Sequence, residues 1–293
     1  MSKLLSYGSL NIDYTYKVPH IVIPGETLTS LSLTRNAGGK GANQSASASK
    51  AGMEVYHAGK IGRDGLFLKE LLESYGVDTS LITVTDGASG NAIIQVDEEG
   101  QNSIVLFPGT NHEITGEEIE AAIEGFGEGD LLLIQNEINN LSLIITKAYE
   151  KGLRIIFNPA PFTKEVLGLP LEKVSMLVVN EIEGAGLAGM DGSAEEVLET
   201  LVKAYPSSEI VLTAGSQGAF YGYRDIREKG DIVECEVVDT TGAGDTFIGY
   251  FLAARERGLS VKASLQAACK ASSIAISRPG AMAAVPVKEE VFS

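Results

Sequence analysis

The sequence predicts an α/β fold, a mostly parallel central sheet flanked by helices, and three observations carry that expectation. Short apolar runs at Leu131–Gln135, Arg154–Phe157, Leu177–Asn180 and Ile210–Thr213 are separated by helical stretches, the alternation that generates right-handed βαβ units. The 293 residues, 44% of them hydrophobic and 33 of them glycine, suit one large α/β domain or two small ones. No repeat, low-complexity tract or shift in composition marks a linker, so residues 1–293 are expected to form a single domain.

From the N-terminus, Lys3–Tyr7 reads as a short buried strand. After the Gly8-Ser9 break, Leu10–Val18 is extended, which puts Asn11 and Asp13 on one face. Two readings stay open for that pair: the polar outer face of an edge strand, or ligands of a site. Pro24-Gly25-Glu26-Thr27 is a turn, and Leu28–Thr34 alternates as a strand does. Next, Asn36–Gln44 carries Gly38, Gly39 and Gly41 into a helix rich in Ala and Ser that ends near Gly52. A P-loop is excluded, because Gly41 follows Gly39-Lys40 where Ser or Thr is required. The glycines either form a flexible loop or let a small ligand approach the backbone, with Lys40 and Asn43 as polar groups at the helix start. Glu54–Lys60 is a strand, Leu66–Tyr75 a helix, and Gly90–Val96 with Asn102–Phe107 a hairpin turning at Asp97–Gly100.

Ligands of parallel sheets sit at the carboxyl ends of the strands. That rule gathers Gln135-Asn136-Glu137, Asn158-Pro159, Asn180–Glu183 and Ala214-Gly215-Ser216 on one rim. Gly184-Ala185-Gly186-Leu187-Ala188-Gly189 matches the dinucleotide fingerprint in letters, but Glu181-Ile182-Glu183 separates it from its strand. A packing face or a loop is expected instead. Asp239–Phe247 is more telling, for Gly242, Ala243, Gly244 and Asp245 stand where an apolar helical pattern begins. The pattern ends at Arg255-Glu256-Arg257 and Gly258. Unpaired amides of such a first turn attract an anion, and the small side chains leave access. Asp245 is then either a helix-start carboxylate or the acceptor of a proton from an attacking hydroxyl in phosphoryl transfer.

Cys235 and Cys269 lie far apart and outside any CxxC pattern, which argues against a disulfide framework and a thiolate zinc site. His20, His57 and His112 are scattered and are expected to be surface or loop residues. A net charge of -16 disfavours nucleic acid and anionic membrane as partners. An anionic substrate such as ATP must therefore be held by local donors and a metal. With no long apolar segment at the N-terminus or elsewhere, the protein is expected to be soluble and cytoplasmic.

AGGKGAN at 37–43, NPAP at 158–161, NEIE at 180–183, TAGSQG at 213–218 and DTTGAGDTF at 239–247 together resemble the ribokinase branch of the PfkB carbohydrate kinases. The resemblance runs from GSLNID at 8–13 to RPGA at 278–281, in the family's order. It implies a ribokinase-like fold with a small β lid, strands about 12–34 and 90–107, and a homodimer contact through that lid. It also implies that Asp245 is the catalytic base and that the backbone of Gly242, Ala243 and Gly244 is the anion hole. Asn11, Asp13, Gly39, Lys40, Asn43, Ala92, Ile94, Glu137 and Asp245 match sugar-binding positions. For ATP the matching residues are Asn180, Thr213, Gly215, Ser216, Gly218, Gly244 and Cys269. Glu183 would act on Mg²⁺ through water, and Asp239, Thr241, Ala275, Arg278 and Gly280 would hold K⁺.

Three positions depart from the family's pattern. Ala284 stands where serine is frequent near the cation, Cys269 where His or Asn is common near the base, and Tyr250 where a small residue is preferred. The leading expectation is ATP-dependent phosphorylation of the primary hydroxyl of D-ribose. The alternatives are another sugar such as 2-deoxyribose or a hexose, a nucleoside, or a sugar-binding sensor without chemistry.

Overall fold

The computed structural model describes residues 2–292. Its strands are β1 (Leu4–Tyr7), β2 (Asn11–Lys17), β3 (Ser32–Gly38), β4 (Val55–Gly62), β5 (Ile82–Thr85), β6 (Gly90–Val96), β7 (Asn102–Phe107), β8 (Leu131–Gln135), β9 (Arg154–Asn158), β10 (Met176–Asn180), β11 (Glu209–Thr213), β12 (Ala219–Tyr223) and β13 (Ile226–Gly230). The helices are α1 (Lys40–Lys50), α2 (Leu66–Ser74), α3 (Gly116–Glu124), α4 (Leu141–Glu150), α5 (Glu181–Ala188), α6 (Ala194–Ala204), α7 (Ala243–Glu256), α8 (Val261–Ile276) and α9 (Lys288–Val291).

Among the described residues nine strands form one sheet, ordered β13-β12-β11-β10-β9-β8-β1-β4-β5. Pairing is parallel except at β11–β12 and β12–β13. Successive residues of the central strands go to opposite faces. Leu131 and Leu133 join a core with Phe247 and Phe251 of α7, while Leu132 and Ile134 join another with Ile119, Ile144 and Leu201 from α3, α4 and α6. Burial on both faces is why these strands read as unbroken apolar runs.

A second sheet, β3-β2-β6-β7, is the lid. The hairpin β6–β7 has the bounds expected from sequence, with Val96 opposite Asn102. The strand expected at Leu28–Thr34 does not form there. Its place is taken by β3, which pairs with β2 from Lys17↔Ser32 to Asn11↔Gly38. Backbone partners decide the matter: β2 ends at Lys17, whose carbonyl accepts from Leu31 N–H at 2.7 Å, so the pairing begins at residues 31 and 32 and not at Leu28. Consequently the first glycine of the Gly-rich stretch ends a strand, and Gly39 (φ 93°) caps α1 in a conformation suited to glycine.

Helices α1 and α7 cross closely, which positions the site. Ser47 Oγ donates to the Thr246 carbonyl at 3.0 Å, and a Cβ at Gly249 would lie 2.2 Å from Ser47 Oγ. The Ala and Ser content of α1 is thus a packing requirement. Tyr250 is accommodated beside Gly249: it is fully buried, and its hydroxyl donates to the Pro286 carbonyl at 2.7 Å. Of the fingerprint-like glycines, Gly184 and Gly186 lie inside α5 and Gly189 caps its end; a Cβ at Gly186 would come 2.4 Å from the Phe162 ring. His57 is neither a surface nor a loop residue. It is fully buried in β4, 2.7 Å from Ser45 Oγ, and burial pushes its pKa down to about 4, so the ring is neutral.

Candidate active site

The chain enters α7 through Gly242, whose left-handed φ of 74° packs it against Ala281. Thr246 N–H makes the first helical bond, to the Gly242 carbonyl at 2.8 Å. Ahead of it, Ala243 N–H reaches the Thr240 carbonyl only at 3.3 Å, and the amides of Gly242, Gly244 and Asp245 have no acceptor among the described residues. Free amides at a helix N-terminus make a site of positive potential. Asp245 projects from this turn. Its Oδ2 accepts from Asn43 Nδ2 at 3.0 Å and its Oδ1 from Gln44 Nε2 at 2.9 Å, both from the first turns of α1.

A cavity of about 200 Å³ opens here, lined in part by Lys40, Asn180, Glu183, Gly244 and Asp245. Burial alone would lower the pKa of the Lys40 ammonium, but the carboxylates of Asp245, Glu137 and Glu183 outweigh it and hold the pKa above its ordinary value. Glu183 is the third residue of a capping box. Its Oε2 accepts from Asn180 N–H and its Oε1 from Asn180 Nδ2, each at 3.0 Å, while Asn158 Nδ2 approaches Oε2 at 3.4 Å. Burial raises its pKa, and the nearby charge of Asp245 adds to the shift against those donors and Lys40.

On one side, toward the small sheet, polar side chains of several elements come together. Glu137 accepts from the Ser9 hydroxyl and, at 3.0 Å, from Lys40 N–H. Asn11 Oδ1 accepts from Asn111 Nδ2 at 2.8 Å. The Asp13 carboxylate has no hydrogen-bond partner among the described residues, and burial, reinforced by the charge of Glu137, raises its pKa to about 6. The register Asp13↔Ala92 and Thr15↔Ile94 puts Ala92 and Ile94 on the same lid face as Asn11 and Asp13. Gly38 is confined by that face, since a Cβ there would lie 2.0 Å from Asp13 Oδ2.

On the other side is a cavity of about 740 Å³, which reaches Thr213, Gly215, Ser216 and Gly218 on one wall and Gly244 and Cys269 on the other. Thr213, Thr240, Ala243 and Gly244 border both cavities. Burial pushes the Cys269 thiol up to about 11, so it stays protonated. Asn180 borders the smaller cavity rather than this one.

Beneath the helix start, Asp239 accepts from Thr241 N–H through Oδ1 and from Gly280 N–H through Oδ2, both at 2.9 Å. That carboxylate joins the two loops of the expected cation site. The Ala275 carbonyl already accepts Arg278 N–H at 3.0 Å, and the Arg278 guanidinium pairs with Glu290. Ala284 is buried, its N–H donating to the Ala281 carbonyl at 3.1 Å. Among the described residues no group of three or more His, Cys, Asp or Glu side chains could cage a metal. A divalent ion at Glu183 would accordingly take most of its ligands from phosphate and water, which fits Mg²⁺.

Ser9, Gln44 and Asn111 join this network without having been singled out from sequence, and so does Gln135, which the rim rule had placed among the polar strand ends without a role. The available signal was weak: polar residues within apolar or small-residue runs, whose partners lie 91 to 201 residues away.

Comparison with known proteins fits this arrangement. The model of the pfkB family carbohydrate kinases matches residues 1–288. The ribokinase of Haemophilus influenzae is 31% identical over 299 residues, covering 97% of this chain and 95% of that protein. The Cryptococcus neoformans var. grubii ribokinase in complex with ADP superposes with a TM-score of 0.86 at 33% identity, covering 100% of this chain and 99% of that one. The Arabidopsis thaliana ribokinase complexed with ribose and ATP gives 0.87 at 27% identity, covering 100% and 98%. With a family match over nearly its whole length and a ribokinase-like fold around the helix start that carries Asp245, this chain belongs to the PfkB family of carbohydrate kinases.

Proposed function

We propose that this chain transfers the γ-phosphoryl group of ATP to the primary hydroxyl of D-ribose, giving D-ribose 5-phosphate and ADP. The observation behind the proposal is Asp245, held by two amide donors at the start of a helix whose first amides lack acceptors. The acceptor oxygen bonds to the γ-phosphorus while its proton passes to Asp245. The bond to the bridging oxygen breaks, and its electron pair leaves with ADP. Amides at Gly242, Ala243 and Gly244 receive the charge that develops.

In this reading Asn11, Asp13, Gly39, Lys40, Asn43 and Glu137 hold the sugar hydroxyls, and Ala92 and Ile94 cover the ring. Thr213, Gly215, Ser216, Gly218, Gly244 and Cys269 receive the nucleotide, with Asn180 toward its phosphates. When bound, Mg²⁺ neutralises phosphate charge, and Glu183 would hold it through water. K⁺ would be held by groups of Asp239, Thr241, Ala275, Arg278 and Gly280, below the anion-binding turn. The relatives complexed with ribose and ATP or with ADP support the choice of substrates.

Residues 1–293 act as one domain in this reading, in the cytoplasm, and as a homodimer joined through the lid. Leu33, Ile93, Val105 and Phe107 support the dimer: they are exposed and, by strand register, share a lid face. Val105→Glu is expected to convert dimer to monomer in sedimentation, and a wild type that sediments as monomer would reject the contact. The function itself is tested by a coupled assay with ribose, ATP, Mg²⁺ and K⁺, alongside 2-deoxyribose, hexoses and nucleosides. Absence of turnover with every pentose would reject it.

A further inference from the structure

Gln44 is fully buried, and its side-chain amide is bonded in three directions. Nε2 donates to Asp245 Oδ1 at 2.9 Å and to Asn158 Oδ1 at 3.0 Å, and Oε1 accepts from Gln135 Nε2 at 2.7 Å. Asn158 is itself fixed by donating to the Val178 carbonyl at 2.9 Å and approaches Glu183 at 3.4 Å. A continuous chain of amides therefore links the Asp245 carboxylate to the carboxylate across the cavity. Gln44 has all its polar atoms bonded and Asn158 is bonded at both ends of its amide, which restricts their rotation; Gln135, bonded to Gln44 through Nε2, has no partner for Oε1 among the described residues.

We propose that Gln44 is a positioning residue for phosphoryl transfer: locked from behind by Gln135 and Asn158, it fixes the rotation of the Asp245 carboxylate. Asn43, the other donor to that carboxylate, is itself placed against the sugar, so its hydrogen bond is open to exchange when substrate binds. Gln44 has no such freedom, being remote from the surface and tied at both ends of its amide. It keeps one oxygen of Asp245 occupied, which aims the remaining lone pairs at the hydroxyl. The proposal rests on the reading of Asp245 as proton acceptor.

The test is a double-mutant cycle of Gln44→Leu with Asp245→Asn, read as kcat and KM for both substrates on protein whose folding is verified by melting. Gln44→Leu is expected to lower kcat by about 10- to 100-fold, the scale for a misplaced reacting group, with both KM values within about twofold. In the Asp245→Asn background the same change should alter kcat by less than about twofold, because its effect passes through Asp245. Equal losses in the two backgrounds, or an unchanged kcat, would overturn the proposal and leave Gln44 a core residue. If Gln44→Leu does not fold, Gln44→Met replaces it, since the thioether keeps most of the side chain's length and volume but cannot donate to Asp245. Full turnover by Asp245→Asn alone is a different failure, which removes the base and this inference with it.

Discussion

On the lid side of the site, Asn11, Asn43, Glu137 and Asp245 are each hydrogen-bonded to another element. Across Gly244, the larger cavity is walled mostly by apolar groups, among them Ile232, Val233, Val237, Phe247 and Ile276. The difference teaches where discrimination resides. A pocket of fixed polar groups rejects a ligand that leaves them unpaired, whereas an apolar cavity gives up little when a single contact changes. The acceptor alcohol should be read strictly and the nucleotide loosely.

Variants can break or sharpen that contrast. Asp245→Asn, at the junction of the two regions, should lower kcat by about 10²-fold or more while both substrates still bind. Steady-state kinetics with calorimetric binding checks it. Glu137→Gln should cost about 10- to 100-fold in kcat/KM for the sugar, the scale of a charge-assisted hydrogen bond, with KM for ATP unmoved. An equal loss for ATP would erase the contrast.

A pH series separates the sides in another way. The pKa of Asp13 is raised to about 6, so the carboxylate is charged above that pH and protonated below it. A protonated carboxyl has lost acceptor capacity, so KM for the sugar should rise about tenfold per unit as pH falls below 6. The KM for ATP should not follow this curve, and Asp13→Asn should flatten it. The smallest effect is expected from Cys269→Val, a change of similar volume in the apolar wall, which should move KM for ATP by less than about threefold. A tenfold effect there would give the thiol a role in reading the base.

Legibility differed in the same way between the two kinds of feature. Strands such as Leu131–Gln135 and the β6–β7 hairpin were readable because double-sided burial and turn chemistry leave local marks. The helix start at Gly242–Asp245 was readable because capping is also local. By contrast, β3 runs Ser32–Gly38 because of its partner, and β13, with Ile226 and Gly230 as its only uncharged residues, left no apolar signal. Ser9, Asn111 and Gln44 owe their places to contacts distant in sequence, which single-chain periodicity does not encode. The resemblance supplied what spacing could not, a use for Asn11, Asp13 and Glu137.

Glu183 belongs to two systems at once. Its carboxylate closes the cap that begins α5 and also borders the cavity beside Asp245. An alanine scan that scored only product would therefore count a frayed helix as a lost ligand. Glutamine at this position keeps a capping oxygen while removing the charge. Comparing the melting temperatures and turnover of the Glu183→Gln and Glu183→Ala proteins would separate scaffold from chemistry at a single side chain.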